Sequence, residues 1–161
     1  MDYGENVYDR EWDVLVVLDA CRADLLRSVA ADVSFLDAVE TVRSVGSSSS
    51  EWLENTFGGR AETGRTAMIT GNTWTDRYLD AGNFAALDEV WKYAWDDDLG
   101  TVPPAAITDR AIALDRDRDP DWLVVHYMQP HHPFVPDPIA GDDGMARTGS
   151  HSNDANPWVL L

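Results

Sequence analysis

Three groups of residues in this chain carry chemistry by type and spacing. Asp19 closes the run Val14-Leu15-Val16-Val17-Leu18, with Arg22 and Asp24 close behind it. Four serines, Ser47 to Ser50, follow Gly46 and lead into Glu51-Trp52-Leu53. Three histidines, His126, His131 and His132, fall within seven residues, and Pro130 and Pro133 frame the last two. Carboxylate and imidazole are ligands for a divalent cation, and imidazole can also donate to an oxyanion. A serine at a helix start faces unpaired backbone N–H groups, a setting that binds phosphate or sulfate. The same hydroxyl suits nucleophilic attack if a metal or a base loosens its proton. Plainer readings stand beside these: Asp19 as the cap of the following helix, and one serine as an N-cap with the others as linker.

The elements that must position these groups are legible in the hydrophobic pattern. Val14 to Leu18 predicts a strand over 13–19, buried on both faces inside a parallel sheet. A carboxylate at the carboxyl end of such a strand stands where open α/β sheets place their ligands. Ala23, Leu25, Leu26, Val29 and Ala30 predict a helix over 23–31. Alternation over 38–45 predicts a second strand, broken by Gly46 and the serines. A short helix follows at 51–57, stopped by Gly58-Gly59, and a third strand at 66–70. Residues 73–88 read as loop anchored by Trp74, Tyr78 and Phe84, and 90–95 as another strand. Pro103-Pro104 opens a helix to about residue 116, and Trp122 to Tyr127 is a strand. The periodicity fails from Gln129 onward. The expected organisation is a polar lead-in at 1–11, one α/β domain at 12–134 and a loop or disordered tail at 135–161. Strands alternating with helices predict an α/β fold, a mainly parallel sheet with helices on both faces.

Composition narrows the function classes. The 161 residues are 44% apolar with seven tryptophans, which is globular rather than disordered. Net charge is -17, from 29 acidic residues against 12 basic ones, of which only Lys92 is a lysine. Such a surface repels nucleic acid and anionic membranes. It is the surface of a salt-adapted protein, because at molar salt the Debye length shrinks to about 3 Å and self-repulsion is screened. Cys21, the one cysteine, excludes an internal disulfide and reads as a small buried residue. No apolar run approaches the ~20 residues of a membrane helix, and Met1 to Arg10 is polar and acidic, so the expected location is the cytoplasm. Asp96-Asp97-Asp98 and the acidic stretch 115–121 lack EF-hand spacing and read as solvated surface. The alternating Trp91, Tyr93 and Trp95 read as core rather than as a sugar platform.

Taken together and in this order, the three groups resemble the alkaline phosphatase/sulfatase superfamily over about residues 12–134. The opening strand with Asp19, Arg22 and Asp24 is similar to that family's first metal-binding segment. Ser48-Ser49-Ser50-Glu51-Trp52 through Gly58 is similar to the sulfatase nucleophile segment, Cys/Ser-x-Pro-Ser-Arg before a helix and a glycine. On that register Ser48 matches the nucleophile, with Ser47 and Ser49 as alternates. Ser47 matches the threonine nucleophile of the related phosphoethanolamine transferases. Pro130-His131-His132-Pro133-Phe134 resembles the Pro-His-x-Pro-aromatic segment, in which His131 matches the histidine facing the substrate anion.

The resemblance implies metal-dependent hydrolysis or transfer of phosphate or sulfate esters on a small-molecule or glycan substrate. It implies a divalent ion (calcium, zinc or manganese) on Asp19 and Ser48, with Ser48 attacking. His131 and Arg22 would bind substrate, with Asp24 and His126 behind them. Ser50, Glu51 and Trp52 stand where sulfatases carry proline, serine and arginine, so conversion of the nucleophile to formylglycine is not expected. Nothing matches the family's later Asp-His-Gly ligands. The expectation is an N-terminal fragment or a truncated relative of little activity, completed by a partner chain or a missing C-terminal segment. The alternative is a non-catalytic salt-adapted α/β domain, the remnant of a split or degenerate gene.

The charge makes one direct prediction. Circular dichroism will show loss of structure when the protein is moved from molar to millimolar salt; an unchanged spectrum would contradict salt adaptation.

Overall fold

The computed structural model describes residues 4–36 and 38–135. Four strands form one sheet: β1 (Val14–Leu18), β2 (Thr66–Thr70), β3 (Ala86–Glu89) and β4 (Trp122–Tyr127), in the order β1-β4-β2-β3. All three pairings are parallel. The helices are α1 (Ala23–Val29), α2 (Ser49–Phe57), α3 (Thr75–Tyr78) and α4 (Pro104–Arg118), with short 3-10 turns between them. The α/β class expected from the alternation of elements is therefore observed.

Two apolar layers hold the sheet. On one face α4 lays Ile107, Ala111 and Leu114 against Ala67, Ile69, Leu123 and Val125. Pro104 in its first turn suits the missing N–H, and Arg116 and Arg118 in its last turn complement the dipole. On the other face Leu53 and Phe57 of α2 pack on Met68, Phe84 and Val124, with Leu15 and Val17 at the margin. Residues of the polar lead-in pack here too. Asn6 donates to the carbonyl of Asn55 at 3.1 Å, and the Tyr8 hydroxyl bonds Thr66 Oγ1 at 2.7 Å.

Several expectations need correction. β1 is an edge strand rather than a strand covered on both faces: Val14, Val16 and Leu18 are 51%, 54% and 40% exposed. Five apolar residues in a row are compatible with either position, and the α4 layer includes no residue of β1. The alternating segment 38–45 forms no strand; its residues run as coil, and Val42 is exposed. The strand expected at 90–95 lies instead at Ala86–Glu89, and Val90–Lys92 is a 3-10 turn. There Val90 is buried while Tyr93 is 60% exposed, so the aromatic alternation follows a turn and not a pleat. The segment 73–88, expected as loop, contains α3 and all of β3 but its last residue. The expected tail beyond Val135 lies outside the described residues. No helix among the described residues is long and apolar enough to cross a membrane.

Burial separates the two sides of the molecule in a measurable way. Leu53→Ala, at a fully buried position of the α2 layer, will cost about 2–5 kcal/mol of stability. Leu25→Ala, on the exposed face of α1, will stay within about 0.5 kcal/mol in the same chemical denaturation experiment.

Candidate active site

The sheet register brings the chemistry together. His126 sits in β4, which lies between β1 and β2, opposite Val17 on one side and Thr70 on the other. The ladder runs past both neighbours: Asp19 N–H donates to the Tyr127 carbonyl at 3.1 Å, and Gly71 N–H to the His126 carbonyl at 3.0 Å. Side chains two residues apart share a face of a strand. Asp19, two past Val17, and Asn72, two past Thr70, therefore flank His126 on the face covered by α2.

Asp19 Oδ2 is the point of convergence. Asn72 Nδ2 donates to it at 2.9 Å and Ser49 Oγ at 3.2 Å, and His126 Nε2 lies 3.7 Å away. The Asp19 side chain is 14% exposed and that of His126 2%. The backbone closes the cluster, since His131 N–H donates to the Asp19 carbonyl at 3.0 Å. Trp52 meets the His126 ring edge to face, with centroids 5.8 Å apart. His126 Nδ1 is buried and finds no hydrogen-bond partner among the described residues. Burial alone would raise the Asp19 pKa. The facing imidazole of His126, its charge and that of His131, and the Ser49 hydroxyl outweigh burial and hold it below the ordinary carboxylate value.

The serine run divides its labour. Ser48 is the N-cap of α2, its Oγ accepting from Glu51 N–H at 3.3 Å. Ser47 donates its N–H and hydroxyl to the Glu51 carboxylate at 2.8 and 2.6 Å. Ser50 Oγ lies 3.0 Å from Ser48 Oγ. Only Ser49, in the first turn, faces Asp19. Gly46 is required where the loop meets this turn, because a Cβ there would run into the backbone nitrogen of Trp52.

Of the residues singled out in the sequence, Asp19, His126, His131 and one serine are brought together, and that serine is Ser49 rather than Ser48. Asp19 does not cap α1, whose N-cap position is Arg22 without a side-chain cap bond. Arg22 and Asp24 instead bond each other in a two-pronged pair at 2.9 Å on the surface. Cys21 is half-buried, and burial pushes its thiol pKa up, away from nucleophilic use. Sequence reasoning missed Asn72. The signal was available in its position just past the end of β2, one residue beyond Gly71, as Asp19 stands just past the end of β1. Its fixed orientation was not: Asn72 Oδ1 accepts from Trp74 N–H at 2.9 Å, which aims the amide nitrogen at Asp19.

In type, carboxylate, imidazole, hydroxyl and amide suit a divalent cation. In number they do not complete one, because no three His, Cys, Asp or Glu side chains gather around a common point among the described residues. What they build is a charged carboxylate in a cage of donors, with a serine hydroxyl as one wall. Comparisons with family models, with curated proteins and with solved structures return no match.

The lowered Asp19 pKa fixes the sign of a pH effect. The stabilisation is present above the unfolded carboxylate pKa of about 3.9 and is lost as pH falls through the lower folded value. Thermal unfolding in high salt will therefore show an acid limb below about pH 4 that is shallower in Asp19→Asn. Identical limbs would show that Asp19 is not held in this way.

Proposed function

We propose that this end of the sheet is the nucleophile-and-carboxylate half of a metal-dependent hydrolase or transferase acting on phosphate or sulfate esters. The alkaline-phosphatase-like identity of the fold, of which this chain would be the N-terminal portion, belongs to the same proposal. The observation that carries it is the contact of Ser49 Oγ with Asp19 Oδ2 at 3.2 Å, made at the first turn of a helix.

Each group has a task in this reading. Ser49 is the attacking hydroxyl. The Glu51 amide is taken by the Ser48 cap, so the first-turn amides offered to an anionic ester are those of Ser49 and Ser50. Asn72 and His126 keep Asp19 charged and oriented. His131, tied through its backbone to Asp19, is the candidate to hold a non-bridging oxygen of the substrate. Asp19 and Ser49 would be the ion's ligands in this half. A divalent ion bound there supplies a lowered hydroxyl pKa and offsets the charge of the ester. Further ligands would come from residues outside those described or from a partner chain. Arg22 has no part in this arrangement, because its guanidinium is engaged by Asp24. The substrate class remains a small-molecule or glycan ester.

A second reading, a non-catalytic salt-adapted α/β domain, is favoured by one observation: the described residues bring fewer than three strong ligands together. Metal titration of the chain in molar salt separates the two. The enzyme reading predicts calorimetric binding of manganese, zinc or calcium at micromolar levels that Asp19→Asn removes. Absence of binding by all three supports the second reading. Where hydrolysis of p-nitrophenyl phosphate or sulfate is measured, Ser49→Ala will lower it by at least about a hundredfold. Ser48→Ala will cost mainly the cap, about 1 kcal/mol of stability. Greater loss of activity from Ser48→Ala than from Ser49→Ala would return the nucleophile to Ser48.

A further inference from the structure

Asn72 is fully buried, and each of its polar groups is engaged. Its N–H donates to Thr70 Oγ1 at 3.0 Å, and its Oδ1 accepts from Trp74 N–H at 2.9 Å. Its carbonyl accepts from the Thr75 hydroxyl at 2.8 Å, with the Thr75 N–H farther off at 3.4 Å. The Nδ2 group is left for Asp19. The shortest tie on the Asn72 main chain is therefore the hydroxyl of Thr75, itself fully buried. That hydroxyl has a second claimant. Glu89 ends β3 in the row of the sheet that holds Thr70 and His126, and its Oε1 stands 2.8 Å from Thr75 Oγ1. Trp91 Nε1 donates to the same Thr75 oxygen at 3.2 Å. A hydroxyl carries one proton, so it serves the Asn72 carbonyl or the Glu89 carboxylate, not both at full strength. The charged acceptor has the stronger pull. Lys92, the chain's one lysine, offsets that pull. Its ammonium meets Glu89 Oε2, on a carboxylate only 13% exposed, and Asp76 on its other side. A partly buried pair of this kind is screened by salt less than a surface pair.

We propose that Thr75 is a positioning residue of the Asp19 site and that Lys92 governs it from the surface. With the ammonium on Glu89, the Thr75 proton goes to the Asn72 carbonyl. That bond holds the turn whose Trp74 N–H fixes the Asn72 side chain, and so aims its amide at Asp19. Without the ammonium the hydroxyl turns to Glu89, and the Asn72 carbonyl keeps only the long bond from the Thr75 N–H. A chain of hydrogen bonds thus leads from the single lysine, through the ends of β3 and β2, to the carboxylate after β1. The inference concerns the geometry of the site and is independent of the ester-hydrolase reading, so a chain without hydrolytic activity tests it equally well.

The coupling between Asp19 and Asn72, read from a double-mutant cycle by chemical denaturation in molar salt, is the test. In a Thr75→Val background this coupling will fall to less than about half of its value in the parent chain, and Thr75→Ser, which keeps the hydroxyl, will restore it. Lys92→Gln, a surface change that leaves the core intact, will lower the coupling in the same direction. It decides the matter if Thr75→Val does not fold. An unchanged coupling in either background would overturn the inference, even where Thr75→Val lowers overall stability. So would a loss that Thr75→Ser fails to restore, which would assign the effect to the methyl group, or additive effects of Asp19 and Asn72 in the parent chain.

Discussion

The carboxylate of Asp19 must stay charged in a place that excludes most of its water, and the surrounding structure answers to that demand. Desolvation of a charge costs several kcal/mol in real proteins unless donors replace the lost water. In a chain of net charge -17 the remaining carboxylates add repulsion rather than relief. The donors come from two separate places, Asn72 after β2 and Ser49 at the start of α2, and the His126 imidazole of β4 stands 3.7 Å away. No local sequence motif assembles them. The parallel register does, by setting β4 between β1 and β2 so that residues two past the paired positions converge from both sides.

That arrangement explains why the serine run has the order it has. A helix start needs a cap, and Ser48 supplies it; the preceding loop needs a tie, and Ser47 gives it to Glu51. Ser49 is thereby freed from local duties and turned inward. The cap and the inward hydroxyl are not competing explanations for the same residue. They are adjacent residues with different partners, and the helix phase between them sets which one meets the carboxylate. Trp52, one turn further, seals the other side of His126 with an apolar ring.

Much of the scaffold was legible in the sequence, and the limits have physical causes. β1, β2, β4, α2 and α4 follow from apolar runs, glycines and a paired proline, all local signals. The edge position of β1 does not follow, because apolar content reports the propensity to be buried and not the neighbour that does the burying. The alternation at 90–95 failed for a similar reason: the β2–β3 pairing at Ala67–Ala86 gave the place beside β2 to residues 86–89 instead. The segment 38–45 runs as coil although the β1 edge is open, so its alternation has no sheet counterpart. In the candidate site, the nearness of Asp19, His126 and His131 was legible because all three lie at or just past the ends of neighbouring strands. Asn72 was missed because an amide has no ionisable signature, and the choice of Ser49 over Ser48 depends on a single helical step of about 100°.

The account rests on Asp19 and Asn72 sharing one interaction across the sheet. A double-mutant cycle with Asp19→Ala, Asn72→Ala and the pair, measured by chemical denaturation in molar salt, reads that interaction directly. The structure predicts a coupling of about 0.5–3 kcal/mol, as expected for side chains in one hydrogen-bonded network. Effects that add within about 0.3 kcal/mol would mean that the two side chains do not meet, and the site built around Asp19 would not exist.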